Sequence, residues 1–322
     1  MNKIRFFFKK NKETSVEKSI IWSRGFYNIL KEYENYHTEE VATRRVIKKI
    51  VENSKNHIWL RLGTTYMSKN LRRDIDIFSE YLKYLKKPID LITGDGDTMV
   101  PSEIAPTSVN KILDSDKIKN WYTQNLDGSQ NHKKFKHYPI GLDLHTTRDN
   151  LFTSSDKILE YLNKLRNEKE LHQNNKKVLR IFCDLHHKIY PHKRFPNDRA
   201  EIFTLKDKMK FVDFTAKRLS VLDTYKKYSD YTFAISGSGN GLDAHRTWEL
   251  LYLGCIVLMK SSALDKMFEN LPVVIIKDWR ELNDSENLKK WRDKFKDLTT
   301  SSRINKFFNQ KFWLDNQFSN DK

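Results

Sequence analysis

The sequence predicts an α/β fold of two halves, each a parallel sheet wrapped by helices, facing across a cleft. Three observations predict it. Short apolar runs such as "HIWLRLG" (57–63), "VLRIFC" (178–183), "YTFAIS" (231–236) and "VVII" (273–276) alternate with longer segments of helical spacing, which is the rhythm of βαβ units. That rhythm is interrupted at the polar stretch "NEKELHQNNKK" (167–177) and then restarts. A chain of 322 residues, 38% of them hydrophobic, is also long enough for two such cores.

Taken in order, residues 15–54 carry helical periodicity, with Ile20, Ile21, Phe26, Ile29, Leu30 and Tyr33 on one side of the first segment. "HIWLRLG" is a strand. The next helix spaces Leu71, Ile75, Phe78, Leu82 and Leu85, with Ser68 as N-cap and Pro88 as its stop. "IDLITGDGD" (89–97) reads as a strand and turn, followed by extended pieces near "WYTQN" (121–125) and "HYPIG" (137–141). A helix over 154–170, capped by Ser154 or Ser155, closes the first half. The second half reads as strand 178–183, a helix from Asn197, a strand near "KFVDF", helix 216–228, strand "YTFAIS", helix 243–253 and strand "CIVLM". A short helix, the strand "VVII" and a helix from Asp278 follow, and a helical tail spans 303–318. The divisions are therefore an N-terminal α/β domain (1–172), a C-terminal Rossmann-like domain (173–300) and a tail (301–322) expected to pack back on the first domain. In open α/β sheets, ligands sit beyond the carboxyl ends of the strands.

The glycine-rich loop at 237–241 lies at one such end. After Ser236 ends the strand, Gly237, Ser238, Gly239, Asn240 and Gly241 separate "YTFAIS" from a helix bearing His245, Arg246 and Glu249. Glycines let a backbone approach a phosphate, and a helix N-terminus adds unpaired N–H groups and a positive dipole end. Arg246 can fork onto a diphosphate. Glu249, three residues on, shares its helix face and suits ribose hydroxyls. The loop matches neither G-x-x-x-x-G-K-[ST] nor G-x-G-x-x-G. An ordinary turn followed by an ion-paired Arg and Glu is the competing reading.

The run "FAISGSGNGLDAHRTWELLYLGCIVLMKSSALDKMFENLPVVIIKDW" (233–279) resembles the nucleotide-sugar signature of the exostosin-like glycosyltransferases. Weaker similarity reaches back to "DLITGDGDTMVP" and "HYPIGLDLHT". Val257 stands where that family usually has proline. The resemblance implies the two-Rossmann GT-B architecture and a transferase that moves a sugar from a nucleotide diphosphate donor, most plausibly a UDP-sugar, to a glycan hydroxyl with inversion. It further implies that Arg246 and His245 contact the donor diphosphate, that the backbone of 238–241 lines it and that Glu249 holds the ribose. The same resemblance implies donor contacts from Ser261 and Ser262, just past the "CIVLMK" strand, and makes Arg199, in the basic loop "PHKRFPNDR", a second candidate phosphate ligand.

Candidate bases lie in the first half. Asp95 and Asp97 form a D-x-D pair after a strand, able to act as general base or, less in keeping with this layout, to hold a divalent metal. Asp143 and His145 in "PIGLDLHT" are the alternative pair. An Asp-Gly turn and a hydrogen-bonded loop clamp are the plain readings of these two stretches. His186, His187 and His192 do not have zinc spacing. No cofactor is required, and a divalent metal is admissible but not expected.

The formal net charge of +17 favours anionic partners. Nucleic acid is the disfavoured choice, since no reader motif is present. An anionic membrane face is compatible as a peripheral partner, and a non-catalytic nucleotide-sugar-binding relative is the other alternative. Two cysteines, Cys183 and Cys255, fit buried free thiols in a reducing compartment. With no secretory or membrane-spanning apolar run, the expected location is the cytoplasm. Oligomeric state is left open.

Overall fold

The computed structural model describes residues 20–22, 43–63, 73–144, 154–171, 177–185 and 198–315. Two parallel sheets organise them. In the first, β1 (His57–Gly63), β2 (Ile89–Gly96), β3 (Ile118–Thr123) and β4 (Phe135–His137) lie side by side in chain order. Helices α1 (Arg44–Glu52), α2 (Asp74–Tyr81) and α3 (Pro106–Asp114) belong to this half. Helix α4 (Ser155–Leu171) leads towards the second sheet, with Ser154 Oγ accepting from the Lys157 amide at its start.

The second sheet contains β5 (Lys177–Cys183), β6 (Val212–Phe214), β7 (Tyr231–Ile235), β8 (Ile256–Lys260) and β9 (Val273–Ile276). Their spatial order is β6-β5-β7-β8-β9, every pair parallel. The connections are α5 (Asp198–Thr204), α6 (Val221–Asp230), α7 (His245–Tyr252) and α8 (Asp265–Phe268). Helix α9 (Ser285–Phe295) follows β9. Because the chain moves outward from β5 to β6 and then returns past it to β7, the sheet has a switch point between β5 and β7. A crevice at the carboxyl ends of such strands is the general ligand position in doubly wound sheets.

Strand alternation explains why both faces of this sheet are covered. Phe233, Ile235, Ile256 and Leu258 enter one apolar cluster, with Trp279 and Leu288. Their neighbours Ala234, Val257 and Met259 enter another, which runs on into the first half through Trp248, Leu253 and Phe308. Successive side chains of a strand point to opposite faces, so a strand buried on both reads as continuous apolar sequence. Both cysteines are buried and free, and burial pushes the Cys183 thiol up to about 12.

Several elements differ from the sequence expectation. Ile20, Ile21 and Trp22 are extended rather than helical: Ile20 bridges Asn309 and Trp22 bridges Leu142. Three consecutive apolar residues fit either state, and here tertiary pairing decides, with Ile21 fully buried. Phe26, Ile29, Leu30, Tyr33, Ser68 and Leu71 lie outside the described residues. Helix α3 was not anticipated, although Pro106 at its start and Val109, Ile112 and Leu113 on its buried side carry the pattern. The expected helix from Asp278 begins as a 3₁₀ turn, Trp279–Asn283, capped by Asp278, before α9.

The tail is broken into α10 (Ser301–Ile304), a 3₁₀ turn (Asn305–Phe308) and α11 (Gln310–Asp315). Phe307 and Phe308 are both buried. Adjacent residues point about 100° apart on a helix, so burying both alongside Trp313 favours the break. The tail bonds to the first half: Ile21 N donates to Phe308 O at 2.8 Å, and Tyr122 Oη to Leu314 O at 3.3 Å.

Helix α6 starts four to five residues later than the expected 216, because Ser220 caps it. Ser220 Oγ accepts from the Asp223 amide at 3.1 Å and donates to the Asp223 carboxylate at 2.7 Å. Ser220→Ala is expected to cost about 1 kcal/mol. In urea unfolding, the midpoint should fall at an unchanged slope. Since Tyr225 and Tyr228 hang from this helix, the cap also steadies one wall of the cavity described next.

Candidate active site

A cavity of about 270 Å³ opens at the β5/β7 switch point. Asp184, directly after β5, forms one side. Tyr225 and Tyr228 of α6 form a second, with Arg218 at the exposed mouth. His245, Arg246 and Glu249 of α7 form the third. The first turn of α7 faces this space, and Ala244 at its N-cap supplies no side-chain acceptor for the helix N–H groups.

Arg246 is held by a three-member network. Its Nε lies 3.1 Å from Asp184 Oδ1 and donates to Tyr228 Oη at 3.2 Å, and its Nη2 donates to Asp184 Oδ2 at 3.4 Å. Tyr228 Oη in turn donates to Asp184 Oδ2 at 2.9 Å. Burial opposes the arginine's charge, but the adjacent Asp184 and Tyr228 outweigh it and hold the guanidinium above its ordinary value. Burial and the same carboxylate push the Tyr228 phenol up, so it stays a protonated donor. Glu249 is buried and accepts from Tyr225 Oη at 2.7 Å. Each charged group is thus fixed before any ligand arrives, which is the arrangement electrostatic stabilisation requires.

The glycine loop follows β7, where the sequence places it, but none of Ser236, Gly237, Ser238, Gly239, Asn240 or Gly241 lines this cavity. The loop is instead clamped between the two halves. Arg199, expected as a phosphate ligand, is buried and donates from Nε to Ser238 O at 2.7 Å. A Cβ on Gly241 would meet the Asn125 side chain at 3.0 Å, so this glycine serves close approach of the first half. Ser236 Oγ is spent on Thr247 Oγ1 at 2.8 Å. Ser261 and Ser262 also lie away from the cavity: Ser261 Oγ donates to Asp265 Oδ2, and the Ser262 amide to Asp265 Oδ1, closing the turn into α8.

The carboxyl edges of the two sheets meet here. Asn125, just past β3, accepts from the Asp243 amide at 2.8 Å and donates to Gly96 O, at the end of β2. Asp243 is buried and accepts from Ile140 N at 2.6 Å and Trp248 Nε1 at 2.9 Å. His245 Nδ1 lies 2.8 Å from Gly141 O. A carbonyl only accepts, so Nδ1 carries the proton. Gly141 has φ +69°, and a Cβ there would sit 2.3 Å from Ile21 O, so no other residue fits. His245 and the "PIG" loop therefore lock α7 to the first half.

Of the candidate bases, Asp95 and Asp97 flank Gly96 at the carboxyl end of β2, both half-buried, with Asp95 at φ 54°. Asp143 is buried. His145, His186, His187 and His192 lie outside the described residues. Among the described residues no group of three or more His, Cys, Asp or Glu is arranged to hold a metal ion, and no helix is long and apolar enough to cross a membrane.

Sequence reasoning missed Asp184, Tyr225, Tyr228, Asn125 and Asp243. Asp184 carried a signal, an acidic residue directly after the apolar run "VLRIFC". The tyrosines did not, because their role depends on how α6 is set across the crevice.

No protein-family model matches the chain, and no curated protein matches it. Among solved structures it is similar to α,α-trehalose 6-phosphate synthase from Burkholderia multivorans, at 10% identity and a TM-score of 0.42, over 92% of this chain and 79% of that one. It is also similar to a UDP-forming α,α-trehalose-phosphate synthase from Burkholderia xenovorans, at 10% identity and a TM-score of 0.38, over 90% of this chain and 78% of that one. A UDP-forming α,α-trehalose-phosphate synthase from Burkholderia vietnamiensis aligns at 9% identity and a TM-score of 0.37, over 92% and 85% of the two chains. These are likenesses of chain trace at low identity, and the site geometry stands apart from them.

Proposed function

We propose that this chain is a glycosyltransferase that takes a nucleotide diphosphate sugar, a UDP-sugar, and transfers the sugar to a glycan hydroxyl. The observation that carries the reading is the joint placement of Arg246, Glu249 and the α7 N-terminus on one cavity at the β5/β7 crevice. A diphosphate entering there would share the Arg246 guanidinium with Asp184 and meet the positive end of α7. Glu249, already accepting one hydroxyl from Tyr225, has the chemistry to accept ribose hydroxyls. The exostosin-like sequence resemblance assigns Arg246 and Glu249 these same roles.

In this mechanism the acceptor enters from the first half. One carboxylate, Asp95 or Asp97 at the carboxyl end of β2 or Asp143 after the "PIG" loop, removes the acceptor proton as the oxygen attacks the anomeric carbon. Attack on the face opposite the donor C–O bond inverts the anomeric centre as that bond breaks, and the departing diphosphate has its charge balanced by Arg246 and the helix end, so that departure does not call for a metal. The transferred group is left open between a hexose and a pentose.

The test is thermal unfolding with UDP, GDP, CDP and single-stranded DNA, each in EDTA and in Mn²⁺. A nucleotide at 100 times its dissociation constant adds about 2.7 kcal/mol, which for a chain of this length raises the midpoint by roughly 4 °C. Stabilisation by UDP that persists in EDTA is expected. Absence of any nucleotide response, with a shift from single-stranded DNA instead, would remove the proposal.

A further inference from the structure

A second cavity, of about 460 Å³, is lined by residues of both halves and of the tail. One wall is the segment after β3 with β4 itself, the opposite wall is α8, and the tail closes the end. Gly128 and Ala263 bring the two walls together: a Cβ on Gly128 would lie 3.3 Å from that of Ala263. The segment after β3 is well tied down, since the Asp127 carboxylate accepts from the amides of Ser102 and Ser129, and Leu126 bridges Val100.

The lining is divided by chemistry. The floor is aromatic: Phe135, Phe307 and Trp313 are buried, and Phe312 is half-exposed, 4.9 Å from Phe307 and 5.5 Å from Trp313 between ring centroids. The rim is polar, carrying the exposed side chains of Asn131, Lys266, Glu269 and Asn270 and the half-buried Lys136. The volume falls in the ~300–1,000 Å³ span of small-molecule sites, and an apolar floor with a few convergent polar groups is their usual make-up. A sugar ring matches this division: its C–H face lies on an aromatic ring while its hydroxyls reach amides and charged groups at the edge.

The local field is positive. His137, on the floor, is driven down to about 4 by burial and by Lys266. His132 is lowered by burial and then by Lys134 and Lys133. Glu269 is the one carboxylate among the lining residues.

We propose that this cavity is a saccharide-binding site for a sugar unit carrying a carboxylate or phosphate, stacked on Phe312 with its anionic group at Lys136 and Lys266. The proposal rests on the glycosyltransferase reading only in taking the bound sugar to be part of the acceptor. The binding itself is testable without a donor.

The experiment is calorimetric titration of the full chain with glucose, glucuronic acid and mannose 6-phosphate. Both acidic sugars are expected to bind at least fivefold more tightly than glucose. Lys266→Ala should erase that preference, and Phe312→Ala should weaken both acidic ligands about tenfold. Lys266 is exposed, so its variant tests the site even if Phe312→Ala loosens the tail. Mannose 6-phosphate tighter than glucuronic acid would assign the anion as phosphate, and the reverse as carboxylate. No binding by either acidic sugar, or binding unaltered in both variants, overturns the proposal. UDP stabilisation measured on the same samples separates the two readings: sugar binding without a UDP response leaves this site standing and removes the donor assignment, and a UDP response without sugar binding does the opposite.

Discussion

Arg246→Ala is expected to abolish the stabilisation by UDP and to lower the unfolding free energy by about 3 kcal/mol. Two separate causes produce the two effects. The loss of stability comes from Asp184, which retains only the Tyr228 hydroxyl, 2.9 Å away, in a nearly enclosed position once its cation is gone. A buried charge stripped of its partner is far costlier than the intact pair is favourable. The loss of nucleotide affinity comes from removal of the fork that would meet the diphosphate. Asp184→Asn separates them, because it removes the carboxylate's charge while leaving Arg246 and Tyr228 in place. That variant is expected to keep its UDP response. Urea unfolding reads the first effect and the UDP-induced shift in thermal midpoint reads the second. An Arg246→Ala protein that is folded and still gains roughly 4 °C from UDP would end the donor-site assignment.

Asp243→Asn is expected to remove a pH dependence from stability. The Asp243 carboxyl stands near 6, raised first by burial, although bonds from Ile140, Trp248 and Ala244 partly offset that. In the unfolded chain an aspartate titrates near 3.8. The folded state therefore holds this proton more tightly, so its contribution is fully present below pH 3.8 and is lost as pH rises through 6. The loss amounts to about 3 kcal/mol. Wild type and variant should be compared by urea unfolding between pH 4 and 7. Wild-type stability relative to Asp243→Asn should fall by about that amount across the range. A constant difference would mean that Asp243 behaves as an ordinary carboxylate and that Ile140 is held by a permanently charged group. The position matters because this carboxyl ties the "PIG" loop of the first half to α7 of the second.

β1, β5, β7 and β9 were legible because strands buried on both faces are continuous apolar runs, and "VVII" was bounded at the correct residues. Helix α7, with Arg246 and Glu249 on one face, was legible from spacing of three residues. Helix α3 was not, because only four buried residues mark it within a stretch rich in turn formers. The glycine loop misled in one respect. Closely spaced glycines announce that something approaches the backbone, and here Asn125 and Arg199 do so. Composition cannot distinguish a side chain from a phosphate in that role.

By itself, then, the sequence determined the α/β rhythm, the two halves and the position of Arg246 and Glu249 on a single helix, since each depends on contacts within a few residues of chain. Tertiary structure decided the rest. Strand order placed the switch point between β5 and β7 and so brought Asp184, 62 residues distant, against Arg246. Packing of the tail and of the segment after β3 created the second cavity. Those pairings depend on which surfaces remain to be buried after the local elements have formed, and that information is spread over the whole chain rather than held in any one stretch of it.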